Sequence, residues 1–244
     1  MQEHTTKKIY DLQSMFYDAT FGRLVKKRIA TAIGHMNIGP TDRVLDLGIG
    51  TGASLSFYPQ HGRIVGVDLS SGMLAQCRKK IAARNMDHAW VFQADAMKLP
   101  FGDDTFDHVF ISHVISVVSD PYKLVREAQR VAKPGARIII LNHFQSTNRL
   151  VALVEKWISP VCSKLGWRSD LALADLIKRT GVTVDYRYKL DSIDLWETVV
   201  IRNDKSALKA LDETPLVQVR THVRGNRRRA VESTESTSAA VAAA

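Results

Sequence analysis

Gly48, Gly50 and Gly52 are spaced as Gly-x-Gly-x-Gly in the segment Val44-Leu45-Asp46-Leu47-Gly48-Ile49-Gly50-Thr51-Gly52. Residues without side chains let the backbone come close to a ligand, and their amide N–H groups can be aimed at it. A carboxylate, Asp68 in Val67-Asp68-Leu69, follows the glycines by roughly 20 residues and is suited to accept both hydroxyls of a ribose. The pair describes a site for a nucleoside-bearing ligand. Nicotinamide dinucleotides satisfy the same two features, but their turns run Gly-x-Gly-x-x-Gly, with the third glycine one residue later than Gly52.

Such a turn works only at the end of a strand, and the surrounding pattern supplies one. Apolar runs predict strands over Arg43–Leu47, Ile64–Val67, Trp90–Gln93, Phe106–Ser112 and Arg137–Asn142. Between them, helical patterns cover Ser71–Asn85, with Ser70 or Ser71 as N-cap, and Pro121–Ala132, stopped by Lys133-Pro134-Gly135. Continuous apolar strands alternating with helices imply an α/β fold with a doubly wound, mostly parallel sheet. Two more strands, Val182–Tyr188 and Asp194–Ile201, are expected as an antiparallel pair closing one edge, which makes seven.

The composition permits an ordinary globular core, with 45% hydrophobic residues in 244. No apolar run is long enough to span a bilayer, and Met1 to Gln13 lacks the apolar stretch of a secretory signal. Cys77 and Cys162 form neither a metal pattern nor a disulfide framework, so no metal and a reducing, cytoplasmic setting are expected. A formal net charge of +9 suits nucleic acid, anionic lipid or acidic substrates. Part of it lies in the tail, at Arg220, Arg224, Arg227, Arg228 and Arg229.

Further residues complete a pattern. Asp46 within Asp-x-Gly-x-Gly-Thr-Gly, Gln93-Ala94-Asp95-Ala96 after strand three, and Leu99-Pro100-Phe101 before Phe106-Asp107 resemble the class I S-adenosylmethionine-dependent methyltransferases over about residues 41–142. The resemblance implies S-adenosyl-L-methionine as donor. Asp46, Gly48, Gly50 and Gly52 would then surround its methionine part. Asp68 and Leu69 would hold the ribose side, and Asp95 and the Ala96 N–H the adenine.

The acceptor depends on what lies outside the sheet. Ile111-Ser112-His113-Val114-Ile115 follows strand four, where enzymes that methylate planar amides carry Asn/Asp-Pro-Pro-aromatic. No specific nucleic acid is therefore expected, despite the charge. Tyr17-Asp18-Ala19-Thr20-Phe21-Gly22, Asn142-His143, Trp157 to Pro160 and Leu165-Gly166-Trp167-Arg168 resemble the soluble-type bacterial phosphatidylethanolamine N-methyltransferases. Lys133-Pro134-Gly135-Ala136 departs from the commoner Gly-Gly at a turn. The resemblance implies a phospholipid amine as acceptor.

A protonated amine must lose a proton to react, and His113, His143, Tyr17 and Asp18 are the candidates to assist. Tyr17 could also meet the methylated ammonium through its ring face. Tyr10, Asn142, His143, Arg149 and Arg187 are the candidates for holding the headgroup.

Apolar residues recur at helical spacing from Phe21 to Ile33, interleaved with Arg23, Lys26, Lys27 and Arg28. Such a helix can lie on an anionic membrane surface, or pack its stripe on the sheet and leave its lysines in water. A second stripe from Leu150 to Leu165 suits a core helix or a lid. The expected organisation is a helical, membrane-contacting extension over 1–36, a methyltransferase domain over 37–203 with a helical insertion at 147–180, and a basic, disordered tail over 204–244. Peripheral association with the inner face of the cell membrane follows. A quinone-type C-methyltransferase and an arginine-tailed nucleic-acid-binding protein are the competing readings, and the sequence leaves the oligomeric state open.

Overall fold

The computed structural model describes residues 25–145, 171–191 and 194–206. Seven strands form one sheet: β1 (Arg43–Leu47), β2 (Arg63–Asp68), β3 (Ala89–Gln93), β4 (Phe106–Ser112), β5 (Ala132–Asn142), β6 (Thr183–Tyr188) and β7 (Glu197–Arg202). Their order is β3-β2-β1-β4-β5-β7-β6. Neighbours are parallel except β7, which runs against both β5 and β6. The chain crosses from β1 to β2 on one side and later returns to β4 on the other. The carboxyl end of β1 therefore opens into the crevice where such sheets bind ligands.

Four helices cover the faces: α1 (residues 25–34), α2 (Ser71–Ala83), α3 (Pro121–Val131) and α4 (Leu173–Thr180). On one face Leu45, Leu47, Val67, Val109, Ile111 and Ile138 pack against Leu124, Val125 and Ala128 of α3 and Leu176 of α4. On the other, Val44, Ile64, Phe110 and Ile139 meet Val25, Ile29, Ala32 and Ile33 of α1 and Leu74 and Cys77 of α2. The apolar stripe of α1 is thus core, while Lys26 and Lys27 are exposed. Arg23, the stripe over 150–165 and the tail beyond residue 206 lie outside the described residues.

Local signals set the ends of these elements. Ser70 Oγ accepts from Met73 N at 3.1 Å to cap α2. The Asp120 carboxylate accepts from Tyr122 N and Lys123 N, both at 3.0 Å, ahead of Pro121 at the start of α3. Helix α2 stops at Ala83, short of the expected Asn85, whose φ of 52° is left-handed. Strand β7 starts at Glu197 rather than Asp194, because the Asp194 side chain is drawn to Arg28 of α1.

The stop after α3 is also a bulge. Phe106 of β4 pairs with Ala132, but His108 pairs with Arg137, so Lys133 to Ala136 loop out of register. Asn203, 1% exposed, closes this loop. Its Nδ2 donates to the carbonyls of Gln129 (3.0 Å), Ala132 (2.9 Å) and Lys133 (3.0 Å). Its backbone N–H donates to Ala136 O, and its carbonyl accepts from Gly135 N, each at 2.9 Å. A buried carbonyl left without a donor costs about 1–3 kcal/mol. Asn203→Ala is expected to lower stability by about 2 kcal/mol or more, read as a fall in the urea midpoint with an unchanged m-value.

Candidate active site

The turn after β1 is fastened to β2. Gly48 N and Ile49 N both donate to Val67 O, at 2.8 and 3.1 Å. Gly48 and Gly52 have φ of +73° and +79°, which only glycine adopts cheaply. Both are also tightly enclosed. A Cβ at Gly48 would lie 2.7 Å from the Val114 side chain, and one at Gly52 2.6 Å from Leu55 and 2.8 Å from Cys77 Sγ. Gly50, by contrast, has nothing nearer than 3.9 Å, so its surface is the open one.

Asp68 closes the mouth of the turn, its Oδ2 accepting from Gly50 N at 2.9 Å and its Oδ1 from Ser70 N at 2.8 Å. Leu69 beside it is 37% exposed, an apolar wall left open at the crevice. Its carbonyl accepts from Gln93 Nε2 at 3.0 Å, which ties the ends of β2 and β3 together. Asp95 accepts from Met97 N at 2.8 Å through Oδ1, the geometry of an ordinary turn cap, and Ala96 packs against the core.

Asp46 sits elsewhere than its place in the motif suggests. It is 1% exposed and lies beneath the turn, where Oδ2 accepts from Ser54 Oγ (2.6 Å) and Tyr58 OH (2.8 Å). Burial pushes its carboxyl up to about 6 against the pull of the two hydroxyls, and the charge of Asp68 adds to the rise. Asp46 is therefore a support for the loop rather than part of its outer surface. Ser54 and Tyr58, its partners, carry no motif that sequence reasoning could have used.

At the same edge of the sheet, His113 directly follows β4, and Asn142 ends β5 with His143 next in the chain. His113 has a φ of 58° and stands edge-on to Trp196, ring centres 6.1 Å apart. Burial, helped by the positive charge of Arg28, lowers its pKa to about 4, so it is neutral near pH 7 and a weak base. His143 Nδ1 lies 2.7 Å from Leu195 O. A carbonyl can only accept, so Nδ1 carries the hydrogen and the lone pair of the neutral ring is on Nε2. Asn142, buried, donates through Nδ2 to His143 O at 2.6 Å and accepts from Ser116 Oγ at 3.3 Å. Its amide orients the backbone that carries the histidine.

The loop from β6 to β7 is held against this edge by Arg28. The guanidinium meets the Asp194 carboxylate through Nε (3.0 and 2.9 Å) and Nη2 (2.8 Å), and stacks 4.7 Å from the Trp196 ring centre. Burial alone would raise the Asp194 pKa, but these bonds and the Trp196 N–H hold it below the usual carboxylate value. Arg28 is thus committed inward, a correction to its placement with the exposed Lys26 and Lys27. Arg187 of β6 bridges to Glu197 at 3.5 Å. Tyr10, Tyr17, Asp18 and Arg149 lie outside the described residues.

These parts fit a nucleoside with an attached amino acid. The turn has room for a chain over Gly50, and the Asp68 carboxylate stands beside it. The methyltransferase-domain family matches residues 45–140, the span that contains the glycine turn, Asp68 and Asp95. The chain is 36% identical over 158 residues to the phosphatidylethanolamine N-methyltransferase of Cereibacter sphaeroides, covering 64% of this chain and 77% of that protein. The chain is a class I S-adenosylmethionine-dependent methyltransferase.

A second relative, the demethylmenaquinone methyltransferase of Bacillus cereus (strain AH187), is 33% identical over 138 residues, 53% of this chain and 58% of that one. Among solved structures, geranyl diphosphate methyltransferase in complex with S-adenosylmethionine shares the fold with a TM-score of 0.64, at 14% identity over 80% of this chain and 90% of that one. The geranyl diphosphate C-methyltransferase of Streptomyces coelicolor A3(2), solved with S-adenosyl-L-homocysteine, gives a TM-score of 0.63 at 15% identity, covering 74% and 81%. S-Adenosyl-L-methionine is the methyl donor of this methyltransferase.

The buried Asp46 gives the methyltransferase a proton linkage with a definite sign. Its folded value of about 6 exceeds the unbound 3.8, so the unfolded chain releases the proton first. Stability contributed at Asp46 falls as pH rises from about 4 to about 6, by roughly 3 kcal/mol. His113, with its lowered value, contributes the opposite slope between 6.5 and about 4. Urea unfolding of wild type and Asp46→Asn across this window is expected to differ by a term that grows with pH in favour of the variant. Parallel pH profiles would contradict the assignment.

Proposed function

We propose that this methyltransferase transfers methyl groups to the amine of phosphatidylethanolamine, and on to its mono- and dimethyl derivatives towards phosphatidylcholine. It would act while peripherally bound to an anionic membrane surface at the inner face of the cell membrane. The observation that carries this reading is the 36% identity with a phosphatidylethanolamine N-methyltransferase, which extends over 77% of that protein. Among the described residues no helix is long and apolar enough to cross a membrane, consistent with attachment from one side.

The bound donor supplies an electrophilic methyl group on a sulfonium, and the chain's task is to align an uncharged amine with it in a water-poor site. His143 Nε2 accepts the proton that the ammonium form must lose, its ring held by the Leu195 carbonyl. His113 is the poorer candidate, since burial has already lowered its basicity. Asn142 positions His143 through the 2.6 Å bond to its carbonyl. Asp68 and Asp95 bind the ribose and adenine, with Leu69 and the Ala96 N–H beside them. Tyr10, Tyr17 and Arg149 would complete the headgroup pocket. Lys26 and Lys27, exposed on α1, meet the anionic surface. Arg187, already paired to Glu197, is a weaker choice for the headgroup phosphate.

A second reading, C-methylation of a quinone ring, is favoured by the 33% identity with a demethylmenaquinone methyltransferase. Expression of the full chain in a bacterium that lacks phosphatidylcholine separates the two. Thin-layer separation of lipids labelled from the donor methyl group is expected to give labelled mono-, di- and trimethylated phosphatidylethanolamine. Label confined to the quinone fraction would overturn the proposal. With purified protein, His143→Asn is expected to lower kcat by about a hundredfold while donor affinity is retained. Unchanged kcat would remove His143 from the proton transfer.

A further inference from the structure

A second concavity lies at the opposite end of the sheet from the donor turn, at the amino ends of β2 and β3. It has a volume of about 850 Å³, within the size range of small-molecule sites. Leu55 and Tyr58 form its inner wall, and Arg63, Arg84, His61 and Trp90 are among the side chains around it. Arg63 opens β2, Arg84 follows α2, and Trp90 is the second residue of β3. None of them belongs to the donor or acceptor groups described above.

The charge of this cavity is unbalanced. Arg63 and Arg84 are both exposed, and among the described residues neither has a carboxylate partner. The lining contains a single acid, Asp87. The whole stretch between Asp68 and Asp95 has the same bias, with Arg78, Lys79, Lys80 and Arg84 against Asp87 alone. Guanidinium groups match phosphate oxygens in geometry as well as in charge.

The second feature is aromatic. Trp90 and Phe92 are each 47% exposed and lie on the same face of β3. Among the described residues no helix lies over this edge strand, because the connection from β3 to β4 contains only turns. An indole at the rim of a basic cavity pairs an apolar body with a polar tip, as at membrane interfaces. Unpaired arginines and an open apolar wall together select a ligand with an anionic phosphate joined to an apolar portion.

We propose that the cavity bounded by Arg63, Arg84 and Trp90 is a second ligand site that binds a phosphate ester, distinct from both the donor and the acceptor sites. The two arginines take the phosphate, and Trp90 packs on the apolar part beside it. The ligand's source is either an anionic phospholipid headgroup or a free phosphate ester. The proposal does not depend on which acceptor the enzyme methylates.

The test uses the full chain without methyl donor, so that binding is read apart from catalysis. Two probes are used: vesicles of phosphatidylcholine with phosphatidylglycerol, followed by sedimentation, and phenyl phosphate, followed by calorimetry. Arg63→Gln/Arg84→Gln is expected to weaken binding of the recognised probe roughly twentyfold. The control Lys123→Gln/Lys178→Gln, which removes two exposed lysines from α3 and α4, is expected to change it less than about twofold.

If the source is a lipid, Trp90→Ala weakens vesicle binding as well and phenyl phosphate does not bind. If it is a free ester, phenyl phosphate binds directly and competes. Circular dichroism and thermal unfolding show whether each variant is folded. Trp90→Phe with brominated lipids gives an independent readout, since quenching of indole emission should fall when Trp90 is absent. Three results would overturn the proposal: no dependence of either probe on Arg63 and Arg84, an equal loss in the control, or a single-stranded oligonucleotide that alone shows the arginine dependence.

Discussion

The absence of two Cβ atoms, at Gly48 and Gly52, is the constraint on which the rest of the molecule depends. With φ of +73° and +79° the chain reverses directly above β1 and lies within 2.6–2.8 Å, measured from the missing Cβ positions, of Val114, Leu55 and Cys77. That closeness lets Gly48 and Ile49 share the Val67 carbonyl, which joins the end of β1 to the end of β2. It also brings Gly50 N to the Asp68 carboxylate and leaves Asp46 enclosed with Ser54 and Tyr58. The turn, Asp68 and Asp46 are thus fixed to one another by hydrogen bonds within the chain, the kind of preorganisation that a binding site needs.

The edge that carries His113 and His143 is assembled by a different means. Its histidines stand at the ends of β4 and β5, but their orientation comes from the loop between β6 and β7. That loop is held by Arg28 on α1, 166 residues away in sequence from Asp194. A paired, largely buried charge of this kind is costly to break but adds little stability over well-packed hydrophobic residues of the same volume, so its main contribution is geometric. It turns Leu195 O toward His143 and Trp196 toward His113.

Much of this was legible in the sequence, and the limits have physical causes. The strands of the parallel sheet could be read because each is an apolar run bounded by turn residues, and β1 and β4 begin and end where the pattern does. The seven strands followed from the apolar runs, and the donor from the motif resemblance that links Gly48 to Asp95. The depth of Asp46 could not be read, because a motif gives spacing but not burial, and Ser54 and Tyr58 have no signature of their own. Arg28 looked like its neighbours Lys26 and Lys27; only the partner on a remote loop separates it from them. Nor could spacing rank His113 against His143, since the difference arises from burial and from a single backbone carbonyl.

The clamp between Arg28 and the β6–β7 loop has an evolutionary side. The loop carries its own hydrogen bonds, from Lys189 Nζ to Asp194 O at 3.0 Å and from Trp196 N to Asp194 Oδ1 at 3.0 Å, and so is partly self-contained. Its attachments to the rest of the chain converge on a handful of side chains at the sheet's carboxyl edge. A lineage built on this scaffold can therefore change the surface at this edge by replacing one short cassette together with its matching contacts. The glycine turn and the sheet beneath it need not be redrawn, and the donor half can be inherited intact while the chemistry of its customers diversifies.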